Sequence, residues 1–175
     1  ANAPVLPFRF SALAETVGNY ADEVVALADR LRDEAARGQR LVDEGRWELA
    51  LDPTKPPAAP EPPAAVPHFN FAPLRNAVQA LAAAAATFDA AAAVAPEQAS
   101  AAERQRLNAA ILQAERRLMR EEGLPERPWY RHTLYAPGFY TGYGVKTLPA
   151  VREAIEEREF DVLDAEVART AEVLE

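Results

Sequence analysis

The sequence predicts an all-α chain, an up-down bundle of the four-helix type with one ordered loop inserted before its last helices. Three observations lead there. Apolar residues recur at alternating spacings of three and four along most of the 175 residues. Alanine, the residue that loses least on entering a helix, dominates the middle of the chain. Most of the 15 prolines sit in two stretches, 52–67 and 123–148, leaving the rest free to coil.

The first helix is predicted over 11–37, with Ser11 as its N-cap and Leu13, Val17, Tyr20, Val24, Leu27 and Leu31 as one apolar stripe. Asp22, Glu23, Asp29, Arg30, Arg32 and Asp33 fall mostly off that stripe and should face water. The pattern fades after Ala36, and Gly38 and Gly45 argue against one helix reaching Trp47. The stretch 52–67, DPTKPPAAPEPPAAVP, is an extended, polyproline-like linker. It reads either as a disordered connection or as a ligand for an aromatic groove, and a connection between two helices needs no partner.

A second helix is predicted over 73–94, with Leu74, Val78, Leu81, Ala85, Phe88 and Ala92 on its stripe. Its alanine run is bundle filler on one reading and a subunit contact on the other. Pro96 and Glu97 suit the start of a third helix over 96–122, carrying Leu107, Ile111, Ala114 and Leu118 inward. Its charged residues should form exposed pairs worth a few tenths of a kcal/mol each, about the usual value for such pairs, with Glu115 free to brace the loop through an arginine. Pro149 opens a short helix over 149–159 (Val151, Ala154, Ile155), and Leu163, Val167, Thr170 and Leu174 mark a last one over 161–175. The whole reads as one domain.

Composition narrows the function. A net charge of −8 argues against a nucleic-acid groove, which needs clustered cations. No stretch reads as a membrane span. With no cysteine there is no thiolate nucleophile or Cys-ligated zinc. The two histidines, His68 and His132, show no metal-binding spacing, and the two serines, Ser11 and Ser100, read as helix-start residues. No catalytic residue, metal or cofactor is therefore assigned to this chain.

What remains is the stretch 123–148, GLPERPWYRHTLYAPGFYTGYGVKTL, a shaped lip of turns with no strand or helix expected in it. His132 is either a pH-sensitive group facing a substrate or an imidazole that organises the loop, and the loop's need to satisfy its backbone favours the second. Trp129, Tyr130 and Tyr135 read better as packing anchors than as platforms for bases. Arg127 and Arg131 either neutralise an anion or pair with nearby glutamates.

The segment GLPERPWYRHTLYAP closely resembles GLPDRPFYRHVIYAP of the glutamate carboxypeptidase II family of zinc peptidases, where it belongs to the transferrin-receptor-like dimerisation domain. VLPFRFSALAETVGNYADEV from Val5 and HFNFAPLRNAV from His68 resemble the starts of that domain's first two helices, so the likeness covers essentially the whole chain. The resemblance implies a C-terminal dimerisation domain that forms a homodimer and packs on a protease domain lying outside this sequence, with zinc and the peptide substrate bound there. It also implies that the segment after YAP closes over the substrate pocket. A Lys-Tyr pair there holds the substrate's terminal glutamate; Tyr143 matches the tyrosine, Gly142 stands at the lysine position, and Thr141 precedes them. Lys146 lies four residues along from Gly142. Preference for C-terminal glutamate should then be weakened or altered. A second implied reading is a receptor-type recognition domain attached to a catalytically dead peptidase-like domain.

Overall fold

The structure, a computed structural model, describes residues 5–50, 54, 60–94 and 99–175. It is mostly helical: α1 (Phe10–Asp43), a short 3-10 turn (Arg46–Ala50), α2 (Ala72–Val94), α3 (Ala101–Arg117), a hairpin of β1 (Tyr135–Pro137) and β2 (Val145–Thr147), α4 (Pro149–Glu156) and α5 (Phe160–Leu174). The core is shared by α1, α2, α4 and α5, while α3 lies to one side with only Ile111 buried.

Helix α1 begins with Arg9 as an N-cap that makes no side-chain capping bond. Ser11, expected as the cap, lies inside the helix. The carboxylate of Asp89 on α2 replaces it, accepting the N–H groups of Phe10 and Ser11 at 2.9 and 3.0 Å and the Ser11 hydroxyl. A neighbouring helix thus satisfies donors that a local cap ordinarily takes. The α1 helix also runs on through Gly38 to Asp43, past its predicted end. Gly38 is a contact point rather than a breaker: a Cβ there would lie 2.5 Å from Pro63 Cγ.

The buried line of α1 is Ala14, Val17, Ala21, Val24, Ala28 and Ala35, which keeps Val17 and Val24 of the predicted stripe and replaces its larger members with alanines. Leu13, Tyr20, Leu27 and Leu31 flank it, half-buried. Alanine on the contact line lets α2 approach closely, and the larger side chains close the seam from either side. On α2 the buried residues are Leu74, Ala77 and Ala85. By length and composition α2 is long and apolar enough to cross a membrane, which corrects the sequence reading. Alanine counts as apolar, and this run of it carries few charges.

The described part of the proline-rich linker is fastened down, not a disordered connection. Arg32 donates to the Pro67 carbonyl at 3.0 Å, Arg158 to the Ala64 carbonyl at 3.1 Å, and Val66 is buried. Phe69 then meets Phe160 of α5 at 5.1 Å between ring centroids.

Helix α3 starts later than predicted. Ser100 and Glu103 form a reciprocal capping box, and the predicted start at Pro96 and Glu97 lies outside the described residues. It ends at Arg117 rather than 122 because the following backbone turns to pair with the loop: the amides of Arg120 and Thr133 donate to the carbonyls of Arg131 and Leu118, each at 2.9 Å. At the other end, Leu148 in the left-handed region (φ 45) turns the chain into α4, where Pro149 occupies the first turn. The α4 helix stops at Glu156, short of 159, before Arg158 reverses the chain at φ 61. Leu163, Val167, Thr170 and Leu174 of α5 are buried at the predicted spacing.

Candidate functional site

Three tiers make up the loop. Its root is turn-rich. Leu124 and Tyr130 close a short excursion, with the Leu124 amide donating to the Tyr130 carbonyl at 2.8 Å. Gly123 makes this close, since it sits at φ 71 and a Cβ would fall 2.2 Å from the Pro128 carbonyl oxygen.

The middle tier hangs on Arg127. Its side chain is 3% exposed. Its guanidinium donates to the Pro137 carbonyl and to Glu153 of α4, and it lies 5.7 and 5.6 Å from the ring centroids of Tyr130 and Phe139. The other oxygen of Glu153 accepts the Phe139 amide at 2.9 Å. Of the two fates open to Arg127, pairing with a glutamate is the one observed, while Arg131 is exposed and its carbonyl serves the pairing with Arg120. A second buried pair, Arg120 with Glu166 of α5 at 2.8 Å, ties the residues just before the loop to the bundle.

His132 and Tyr135 stack at 4.1 Å. His132 Nδ1 accepts the Leu134 amide at 3.2 Å, and Glu115 accepts the Tyr135 hydroxyl at 2.7 Å while lying 3.7 Å from His132 Nε2. Glu115 therefore braces the loop through a tyrosine, not the expected arginine. Burial pushes the imidazole below its ordinary range, with Glu115 opposing in part. The hydrogen bond to Glu115 pushes the Tyr135 phenol up, and burial adds to it. Trp129, expected as an anchor, is 71% exposed, carried outward by the turn at Pro128.

Beyond this lies the hairpin, which the turn-based reading did not anticipate. Among the described residues β1 and β2 pair only with each other, Tyr135 opposite Thr147 and Pro137 opposite Val145, as a two-stranded ribbon. Alternating Tyr-Ala-Pro and Val-Lys-Thr gave too short a signal to see. Thr147, Arg152 and Glu23 join its base to α4 and α1, with Arg152 donating to Glu23 at 2.7 Å.

At the tip Thr141, Gly142 and Tyr143 stand together and exposed. Tyr143 is wholly bare and Tyr140 is 79% exposed. Gly142 has φ 61 with open space around it. Lys146 does not reach the tip; its ammonium pairs with Glu156 at 2.7 Å. The residues sequence reasoning missed, Asp89, Glu153 and Glu166, are partners supplied by distant helices, for which no local motif exists.

Among the described residues no group of three or more His, Asp or Glu side chains is placed to hold a metal ion. The arrangement can present a phenol and aromatic surface on a braced support.

Over 50 residues the chain is 48% identical to a probable glutamate carboxypeptidase of Arabidopsis thaliana, covering 29% of this chain and 7% of that protein. Over 53 residues it is 43% identical to a probable glutamate carboxypeptidase of Arthroderma benhamiae, covering 30% and 7%. The matched part thus spans about 7% of the length of these curated relatives. The transferrin receptor-like dimerisation domain matches across residues 69–175, more than half of the sequence and all of the loop just described, and the chain belongs to that family.

Proposed function

We propose that this domain holds two copies of a zinc-dependent glutamate carboxypeptidase-like peptidase together and lends its hairpin tip to the rim of the substrate pocket in a protease domain outside this sequence. One observation carries the reading. The loop is locked at its base by Arg127 and Glu153, yet leaves the Tyr143 side chain fully exposed at its tip, placed for something beyond this chain. The names of the two relatives support the peptidase part.

For assembly, α2 offers an outward face of Ala80, Ala84, Thr87, Ala91 and Val94, smooth enough for a second copy to pack closely across a two-fold axis. Zinc chemistry belongs in this reading to the protease domain; the present residues supply position and exclusion of water. At the tip, Tyr143 donates a hydrogen bond to a substrate carboxylate, and Gly142 brings no cation beside it.

Two experiments test this on the full-length protein with its protease domain. Tyr143→Phe should lower kcat/KM for peptides by about tenfold, the scale of one hydrogen bond to a charged group, and Gly142→Lys should raise preference for glutamate-terminated over neutral-terminated dipeptides. Sedimentation at several concentrations should give a dimer that Ala84→Glu weakens. A protein that stays monomeric throughout, or a kcat/KM indifferent to Tyr143, overturns the corresponding half.

A further inference from the structure

Away from the hairpin tip, a cavity of about 410 Å³ lies between the segment before α1, α1 itself, α3 and the loop. Its volume is that of a small-molecule site. Leu13, Ile111, Leu118 and Leu134 form its walls, with Phe8 and Leu112 at the mouth, 44% and 66% exposed. Such apolar surface in a concave site favours an apolar occupant.

One corner is polar: its only charge is negative, and beside it His132 Nε2 is buried without a hydrogen-bond partner among the described residues, 3.7 Å from Glu115. Glu115 is the sole carboxylate of the lining, and no Arg or Lys joins it there. Its side chain is 71% exposed, so it is free to turn toward an occupant. Only Oε1 is engaged, by the Tyr135 hydroxyl; among the described residues Oε2 accepts no hydrogen bond. The adjoining His132 is no counter-ion in neutral solution: its Nδ1 is spent on the Leu134 amide and its burial disfavours the charged form. Beside the carboxylate, the stacked rings of His132 and Tyr135 present an aromatic surface. A carboxylate without a cation, next to an aromatic stack and opening onto leucine walls, is complementary to an ammonium group carrying an apolar body.

We propose that this cavity is a binding site for a small hydrophobic amine, its ammonium on Glu115 and the aromatic face of Tyr135, its hydrocarbon among Leu13, Ile111, Leu118 and Leu134. This site is independent of the peptidase reading.

The test is calorimetric titration of the chain near neutral pH with n-octylammonium, octan-1-ol and octanoate, alongside methyl NMR. Octylammonium should bind about threefold or more tightly than octanol, a preference kept modest by the solvent exposure of Glu115, and octanoate more weakly than both. Shifts should concentrate at the methyls of Leu13, Ile111, Leu118 and Leu134. Glu115→Gln should erase the preference for the amine while leaving octanol affinity unchanged, and Leu112→Trp, at the mouth, should block both. Equal binding of all three probes overturns the proposal. So does a preference for the amine that survives Glu115→Gln, which would mark mere attraction to an acidic surface, or shifts falling elsewhere.

Discussion

The guanidinium of Arg127 is buried against the carboxylate of Glu153, and that contact joins the aromatic loop to α4. Arg127→Ala leaves Glu153, itself 14% exposed, with the Phe139 amide as its remaining partner. Removing one member of a buried pair costs about 3 kcal/mol. Urea denaturation at fixed pH should show a loss of that order, and a loss below about 1 kcal/mol would mean that water replaces the arginine without penalty.

The two positive-φ glycines of the loop separate strain from collision. Gly123→Ala meets both, since the added methyl falls 2.2 Å from a backbone oxygen, and should cost well over the roughly 1 kcal/mol of left-handed alanine alone. Gly142→Ala meets only the strain and should stay near about 1 kcal/mol. Comparable losses in thermal or urea unfolding for the two variants would contradict the geometry at Gly123.

His132 makes stability depend on pH. Its folded-state pKa lies below the ordinary 6.5, so in mildly acidic solution the unfolded chain binds the proton more readily. The contribution is intact above about 6.5 and is lost as pH falls through that value toward the depressed folded one. Glu157, pushed up by burial and then by neighbouring glutamates, acts with the opposite sign as pH falls toward the carboxylate range. The readout is therefore the difference between the natural chain and His132→Gln across mildly acidic pH. If the two stability curves run parallel, the imidazole is not the group responsible.

Asp89 caps a helix it does not belong to. Its pKa is held below 3.8, chiefly by the Ser11 hydroxyl, so its contribution is present above that value and is lost as pH falls through the lowered one. Asp89→Ala should lower the melting temperature and speed amide exchange at Phe10 and Ser11, which lose their acceptor. Unchanged protection at those two amides would show that the cap is dispensable.

Much of the fold was legible because it is written locally. The stripe of α5 reads directly as its buried face, whereas the start of α3, expected at Pro96 and Glu97, is set by the equally local box of Ser100 and Glu103. Three misplaced boundaries share another cause: a residue far along the chain decides them. Asp89 takes over a cap, Pro63 turns Gly38 from a breaker into a seat, and Arg131 ends α3 early by claiming the backbone that follows it. At the site, prolines and glycines announced a shaped loop, whereas the burial of Arg127 depends on where α4 places Glu153, which no spacing records. Trp129 shows the converse, a large ring whose size suggested burial and whose turn denies it.

Because, among the described residues, the hydrogen bonds and ion pairs that fasten the hairpin to the helices reach no further along it than Phe139 and Lys146, residues 140–145 are spared from folding duty. A surface released from that duty is an exchangeable attachment: its lettering can be rewritten for a different target while the scaffold that carries it stays untouched.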